Sequence, residues 1–86
     1  MTYTLRVERA AGKAFDLLPP ATKRRIAAAI DGLAENPRTS GVIKLAGTEN
    51  GYRLRVGRYP VVFAIDDATA TVSVVRIATR QGVYRP

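Results

Sequence analysis

Eighty-six residues make one domain, 1–86, able to bury about 60 per cent of the surface its unfolded chain exposes. A hydrophobic share of 47% excludes a disordered tail, and the absence of both Cys and His excludes disulfides, zinc fingers, thiol nucleophiles and imidazole bases. Fourteen basic against seven acidic side chains leave a net charge of +7, and eleven of the fourteen are Arg, whose planar fork suits phosphate.

In chain order, Tyr3, Leu5 and Val7 alternate with polar residues, the pattern of a half-buried strand. Ala10, Ala14, Phe15 and Leu18 then fall at helical spacing, predicting a first helix over 8–18 that ends at Leu18-Pro19-Pro20. Pro20 suits the first position of a second helix, whose stripe of Ile26, Ile30 and Leu33 runs to residue 35 and stops at Asn36-Pro37. The joint between them predicts an antiparallel helical hairpin. Residues 38–50 read as a loop holding a short extended piece, Val42-Ile43-Lys44-Leu45. Tyr52, Leu54 and Val56 alternate with Arg53 and Arg55 in a strand, Gly57-Arg58 is a turn, Tyr59–Ile65 is a strand buried at its centre, and Thr71–Ala78 is the last strand. The expected fold is α+β: an N-terminal strand, two helices on one face, and a three-stranded antiparallel meander that the first strand joins in parallel.

The longest apolar run, Val61–Ile65, is too short to span a bilayer, and the chain opens on a strand-like pattern. With no Cys, this points to the cytoplasm and away from membranes. The seven carboxylates include no metal-loop spacing, so neither a metal nor a cofactor is expected. Residues 51–86 hold six basic and two acidic side chains against eight and five in 1–50, so positive charge is densest toward the C-terminus. Arg53 and Arg55, two apart on a strand, share a face; Arg58, Arg80 and Arg85 lie at turns or ends nearby, with Tyr52, Tyr59 and Tyr84 interleaved. An arginine-rich sheet face with neighbouring tyrosines suits phosphates and stacked bases. Equally, Tyr52 and Tyr59 fit a role as core aromatics. Lys23, Arg24 and Arg25 form a basic cluster on the second helix, opposite its apolar stripe.

The run Tyr52-Arg53-Leu54-Arg55-Val56-Gly57-Arg58-Tyr59-Pro60-Val61-Val62-Phe63 resembles the core of the RelE/ParE superfamily of bacterial toxins. So do Leu17-Leu18-Pro19, Leu33-Ala34-Glu35-Asn36-Pro37-Arg38, Lys44-Leu45-Ala46-Gly47 and the closing Ile77-Ala78-Thr79-Arg80-Gln81-Gly82-Val83-Tyr84. The resemblance implies a microbial RNase-like fold and the toxin half of a type II toxin–antitoxin module. RelE-type members cut mRNA in the ribosome: the ribose 2′-OH attacks the adjacent phosphate, giving a cyclic phosphate and a free 5′-OH. By position, Arg53 and Arg55 stand for the family's two strand lysines, Arg80 for its late phosphate-clamping arginine and Tyr84 for its C-terminal tyrosine. These four are the expected catalytic residues. Lys44, Arg58, Lys23, Arg24, Arg25 and Arg85 are the expected RNA contacts.

Arg is a poor base, so Arg53 and Arg55 are expected to stabilise charge rather than take a proton. Pro60 stands where the family has a transition-state arginine, and Ala46 replaces a basic residue often found before the glycine. Weakened cleavage is the expected consequence, with Arg58 as the candidate substitute. Pro60 should also sit at a strand start or beside an unpaired position. The resemblance implies as partners a RelB-like antitoxin, in a complex that includes the heterotetramer, together with ribosome and mRNA. An acidic or amphipathic antitoxin helix is expected to cover the basic face and to follow the helices and an exposed sheet edge. Two alternatives share the fold: a ParE-like inhibitor of DNA gyrase, and an inactive paralogue that binds antitoxin only.

Overall fold

A computed structural model describes residues 2–77, which form a five-stranded sheet with two helices against one face. β1 (Thr4–Val7) leads into α1 (Arg9–Asp16) and α2 (Pro20–Glu35), followed by β2 (Val42–Lys44), β3 (Gly51–Val56), β4 (Tyr59–Asp66) and β5 (Thr71–Ile77). Spatially the strands run β1-β5-β4-β3-β2. β1 lies parallel to β5, as its crossover through the helices requires, and the other pairs are antiparallel.

The expected α+β layering is present, and the differences from it are local. Val42–Lys44 pairs with Leu54–Tyr52, so the meander has four strands rather than three. α1 starts one residue late because Glu8 stays extended and donates its N–H to the Val74 carbonyl, prolonging the strand pairing. It ends early because Leu17 and Leu18 donate to the carbonyls of Ala14 and Phe15, a tightened last turn that carries Leu18 into the core and leaves Leu17 exposed. α1 leans on β5, α2 reaches β1 and β3, and a groove of about 320 Å³ is walled by both helices, β1 and β5.

The core is one cluster. Ile26, Ile30 and Leu33 of α2 and Ala11 of α1 pack on Val61, Phe63 and Ile65 of β4 and on Val72, Val74 and Ile77 of β5. Tyr52, Leu54, Val56 and Tyr59 fill in from the same face. The period of two therefore sends Arg53 and Arg55 to the face that the helices leave open.

Gly57 opens the two-residue β3–β4 turn at φ +63°, a left-handed conformation that costs an L-residue about 1–2 kcal/mol. A Cβ there would also lie 3.2 Å from an Arg25 guanidinium nitrogen. Gly57→Ala is expected to lower the unfolding free energy in urea by about 1–2 kcal/mol, and Gly57→Asn by less, since Asn tolerates this region. Equal stability of the alanine variant would contradict the turn geometry.

One exposed cluster ties the ends of the sheet together. Arg38, in the loop after α2, donates through both terminal nitrogens to Asp67 at 3.2 and 2.9 Å, and the Tyr3 hydroxyl donates to the same carboxylate at 2.7 Å. The two hydrogen-bond donors hold the Asp67 carboxyl below its usual range, while Asp67 pushes the Tyr3 phenol up. A carboxyl lowered by folding contributes stability above its unfolded pKa and loses it as pH falls through the folded value. Asp67→Asn is therefore expected to destabilise the chain at neutral pH, and the gap to the wild type should close in acid. Urea midpoints at pH 7 and pH 3 check this; an equal gap at both would remove the ionic contribution.

Candidate functional site

The open face of the sheet is built from residues that alternate with the core. Register places Arg53 beside Val62 and Arg55 beside Pro60. On the far side of β4, Arg76 of β5 stands opposite Val62, and further along Ser73 stands between Ala64 of β4 and Arg6 of β1. Two rows therefore cross the sheet: Arg76–Val62–Arg53–Ile43, and Arg6–Ser73–Ala64–Gly51. Uncharged side chains from Gly51 and Ala64 to Val62 and Ile43 form the floor, and four arginines rise from it.

None of the four is neutralised from within: among the described residues the ion pair is Arg38–Asp67, elsewhere on the molecule. Arg6, Arg55 and Arg76 are exposed. Arg53 is half-buried, and its Nε is shut off from solvent with no hydrogen-bond partner among the described residues. A donor withheld from water without an acceptor is costly. The acidic group on this face is Asp66, at the end of β4 beside Thr71, where its carboxylate accepts the Thr69 N–H at 3.2 Å.

The other residues expected in a site are dispersed. Lys44 pairs with Tyr52 and so points to the helix side, where its ammonium lies 5.7 Å from the Tyr52 ring centroid and donates to the Thr48 carbonyl. Strand parity thus separates it from Arg53. Tyr52 is occupied: its ring stacks on Phe63 with centroids 6.0 Å apart, and the Arg38 guanidinium lies 5.4 Å over it. Tyr59 packs with the core, so neither tyrosine is offered to a base on the open face. Lys23, Arg24 and Arg25 lie in the first half of α2, behind the sheet. Arg25 covers the Gly57 turn, which brings it near Arg58, the exposed second residue of that turn. Pro60 is the second residue of β4, at a strand start as expected, and shares its face with Arg55. Arg80, Tyr84 and Arg85 lie outside the described residues.

Sequence reading misses Arg6 and Arg76. Arg6 is visible in principle as the polar partner in the Leu5-Arg6-Val7 alternation. Arg76 is not, because simple alternation from Val72 and Val74 sends residue 76 inward. The structure reverses its parity with a bulge: Val62 faces Arg76 while the next residue, Phe63, faces Val74. Val75 is the extra residue, and Ile77 returns to the core.

A second feature lies behind the sheet. The groove between the helices is walled by Leu5, Val7, Phe15 and Ile30, with Asp16 and Asp31 at its margin. Val7 is 53% exposed there, large for an aliphatic side chain in a strand. Among the described residues no helix is long and apolar enough to cross a membrane, and no carboxylates cluster as a metal site.

The family whose model matches is the ParE toxin of the type II toxin–antitoxin system, parDE, over residues 3–84. No curated protein matches in sequence. Among solved structures, the chain is similar to the toxin of the archaeal RelE–RelB complex from Pyrococcus horikoshii, at 30% identity and a TM-score of 0.82, covering 93% of this chain and 97% of that one. It is also similar to a chain of the toxin–antitoxin complex RelBE2 of Mycobacterium tuberculosis, at 26% identity and a TM-score of 0.81, covering 93% and 100%. A mutant of E. coli toxin RelE in the free state matches at 25% identity and a TM-score of 0.77, over 92% and 84%.

Proposed function

The chain belongs to the RelE/ParE superfamily of type II toxins, and from that premise we propose that it is a ribosome-dependent mRNA endonuclease held in check by an antitoxin. The observation that carries this reading is the open sheet face, where Arg6, Arg53, Arg55 and Arg76 stand together without acidic partners among the described residues. Such a face is suited to the backbone of an RNA strand.

The chemistry asks little of a protein base. The 2′-oxygen of one nucleotide attacks the neighbouring phosphorus, the 5′-oxygen of the next nucleotide leaves, and the products are a 2′,3′-cyclic phosphate and a 5′-hydroxyl. Negative charge grows on the phosphoryl oxygens during the attack. Fixed guanidinium groups stabilise that charge most where water is excluded, and a ribosome-bound strand is already held in position. Arg53 and Arg55 fill this role. The proton of the 2′-hydroxyl goes to solvent or to the ribosome and the departing 5′-oxygen takes one up from the same source, since an arginine does not give up its own proton near neutral pH.

The groove behind the sheet suits the antitoxin. It is apolar, it leaves Val7 exposed, and the similar chains from Pyrococcus horikoshii and Mycobacterium tuberculosis were solved in complexes with their antitoxins. On this reading the antitoxin seats apolar side chains in the groove while its acidic groups reach toward the arginine face. Val7→Glu is expected to weaken co-purification of the co-expressed antitoxin at least tenfold and to leave the fold intact, because residue 7 is half in water. Retained co-purification would place the antitoxin elsewhere.

Inhibition of gyrase is the second reading. It is favoured by the ParE family match and by Pro60 in place of an arginine. Mapping of mRNA 5′ ends on programmed ribosomes, run beside a gyrase supercoiling assay, separates the two. New 5′-hydroxyl ends that require the ribosome support the nuclease. Intact mRNA together with blocked supercoiling replaces it with the gyrase reading. Pro60→Arg sharpens the test: a gain of about a hundredfold in cutting would show that this position limits the rate.

A further inference from the structure

The bulge in β5 has a chemical consequence. By resetting parity at Val75 it turns a strand that would carry Arg76 inward into one that sets Arg76 opposite Val62, in the same row as Arg53. Two strand spacings separate the Cα atoms of these arginines, about 10 Å, which lies well within the combined reach of two such side chains. Val62 between them is half-buried and apolar, so nothing on the floor competes for their donors. Arg53 has a buried Nε lacking an acceptor, and Arg76 has no acidic partner among the described residues. Bulges commonly re-aim a side chain beside a functional site.

We propose that Arg53 and Arg76 form a two-arginine clamp that grips one phosphate of single-stranded RNA above Val62, and that Arg6 holds a neighbouring phosphate toward β1. A phosphate in the clamp meets the terminal N–H groups of the Arg53 guanidinium, while its sealed Nε holds the side chain's base in the floor, and it shares its charge between two forks. Arg6, one strand beyond Arg76 and opposite Ser73, continues the basic strip. Asp66 and its neighbour Thr71 close the strip at the other end of the strands. A polyanion therefore crosses the sheet from β3 toward β1 at the bulge and avoids the Asp66 end. The ligand class rests on the RNA reading above; the pairing of Arg53 with Arg76 rests on register alone.

Anisotropy with a short labelled oligouridine across a salt series tests the clamp, with ribosomal cleavage measured on the same variants. Arg76→Ala is expected to weaken binding about tenfold and to make the salt dependence shallower by about 0.7 in slope, the share of one single-strand phosphate contact. Arg53→Ala should match it. If both grip one phosphate, the double variant loses clearly less than the product of the single losses. Arg6→Ala with Arg76→Ala, on separate phosphates, should multiply. Arg76→Gln repeats the test with a side chain of similar length, and Lys13→Ala, on α1 behind the sheet, controls for overall charge. Unchanged binding by both Arg76 variants overturns the proposal, as does full multiplication of the Arg53 and Arg76 losses. A wild type that fails to bind oligouridine also overturns it. If that wild type still cuts mRNA on ribosomes, the nuclease reading stands without the clamp; if it does neither, both fall.

Discussion

Replacing Arg53 and Arg55 together by alanine is expected to reduce single-turnover cleavage of ribosome-bound mRNA by about a thousandfold while leaving the melting temperature nearly unchanged. Removing one preorganised donor from a developing oxyanion typically costs about a hundredfold to a thousandfold. The two side chains share the open face, so the phosphate loses both neighbours from β3 at once. The fold should barely respond. Arg55 is exposed, and Arg53 has an Nε with no hydrogen bond, so no internal partner is stranded by the change. Arg53→Lys and Arg55→Lys separate charge from shape. A point charge should recover part of the rate, and the lost fork should keep the rest. Wild-type cleavage by the double alanine variant would remove β3 from the chemistry and shift attention to Arg6 and Arg76.

Much of this face is legible in the one-dimensional chain, and its gaps have physical causes. Tyr52-Arg53-Leu54-Arg55-Val56 alternates cleanly, so one buried face fixes which side the arginines take. Pro19-Pro20 and Asn36-Pro37 delimit α2 by fixed backbone angles, which local sequence can show. The side that Lys44 takes is hidden because its parity depends on pairing with Tyr52, a contact between residues that alternation within one strand does not encode. Arg76 is hidden for a deeper reason. In Val74-Val75-Arg76-Ile77 no residue signals the bulge, since a bulge of this kind needs neither Gly nor Pro. The core decides it: seating Ile77, 3% exposed, is worth more than regular pairing, and burying Arg76 would be prohibitive.

Phe63→Ala is expected to be the most damaging single substitution in the described chain, at about 3–5 kcal/mol. Phe63 is fully buried and heads the core residues by volume. It lies on β4, the central strand, with Tyr52 stacked beside it from β3 and Val74 opposite it on β5. Truncation empties the middle of the one buried cluster found among the described residues. A domain of this size has a total stability of about 4–13 kcal/mol, so the loss takes a large share of it. At roughly 4–8 °C per kcal/mol, melting should fall by about 12–40 °C, read by circular dichroism. Val62→Ala, one residue away but on the open face, supplies the contrast and should cost less than about 1.5 kcal/mol. The comparison also bears on function, because Phe63 marks the point where the register shifts. If Phe63 anchors the bulge, a partly folded Phe63→Leu variant should lose the Arg53–Arg76 coupling in RNA binding before it loses the β3 arginines' contribution to cutting. A Phe63→Ala protein that melts within a few degrees of the wild type would mean that the sheet is held by its strand pairing, and that the arginine face does not depend on the core behind it.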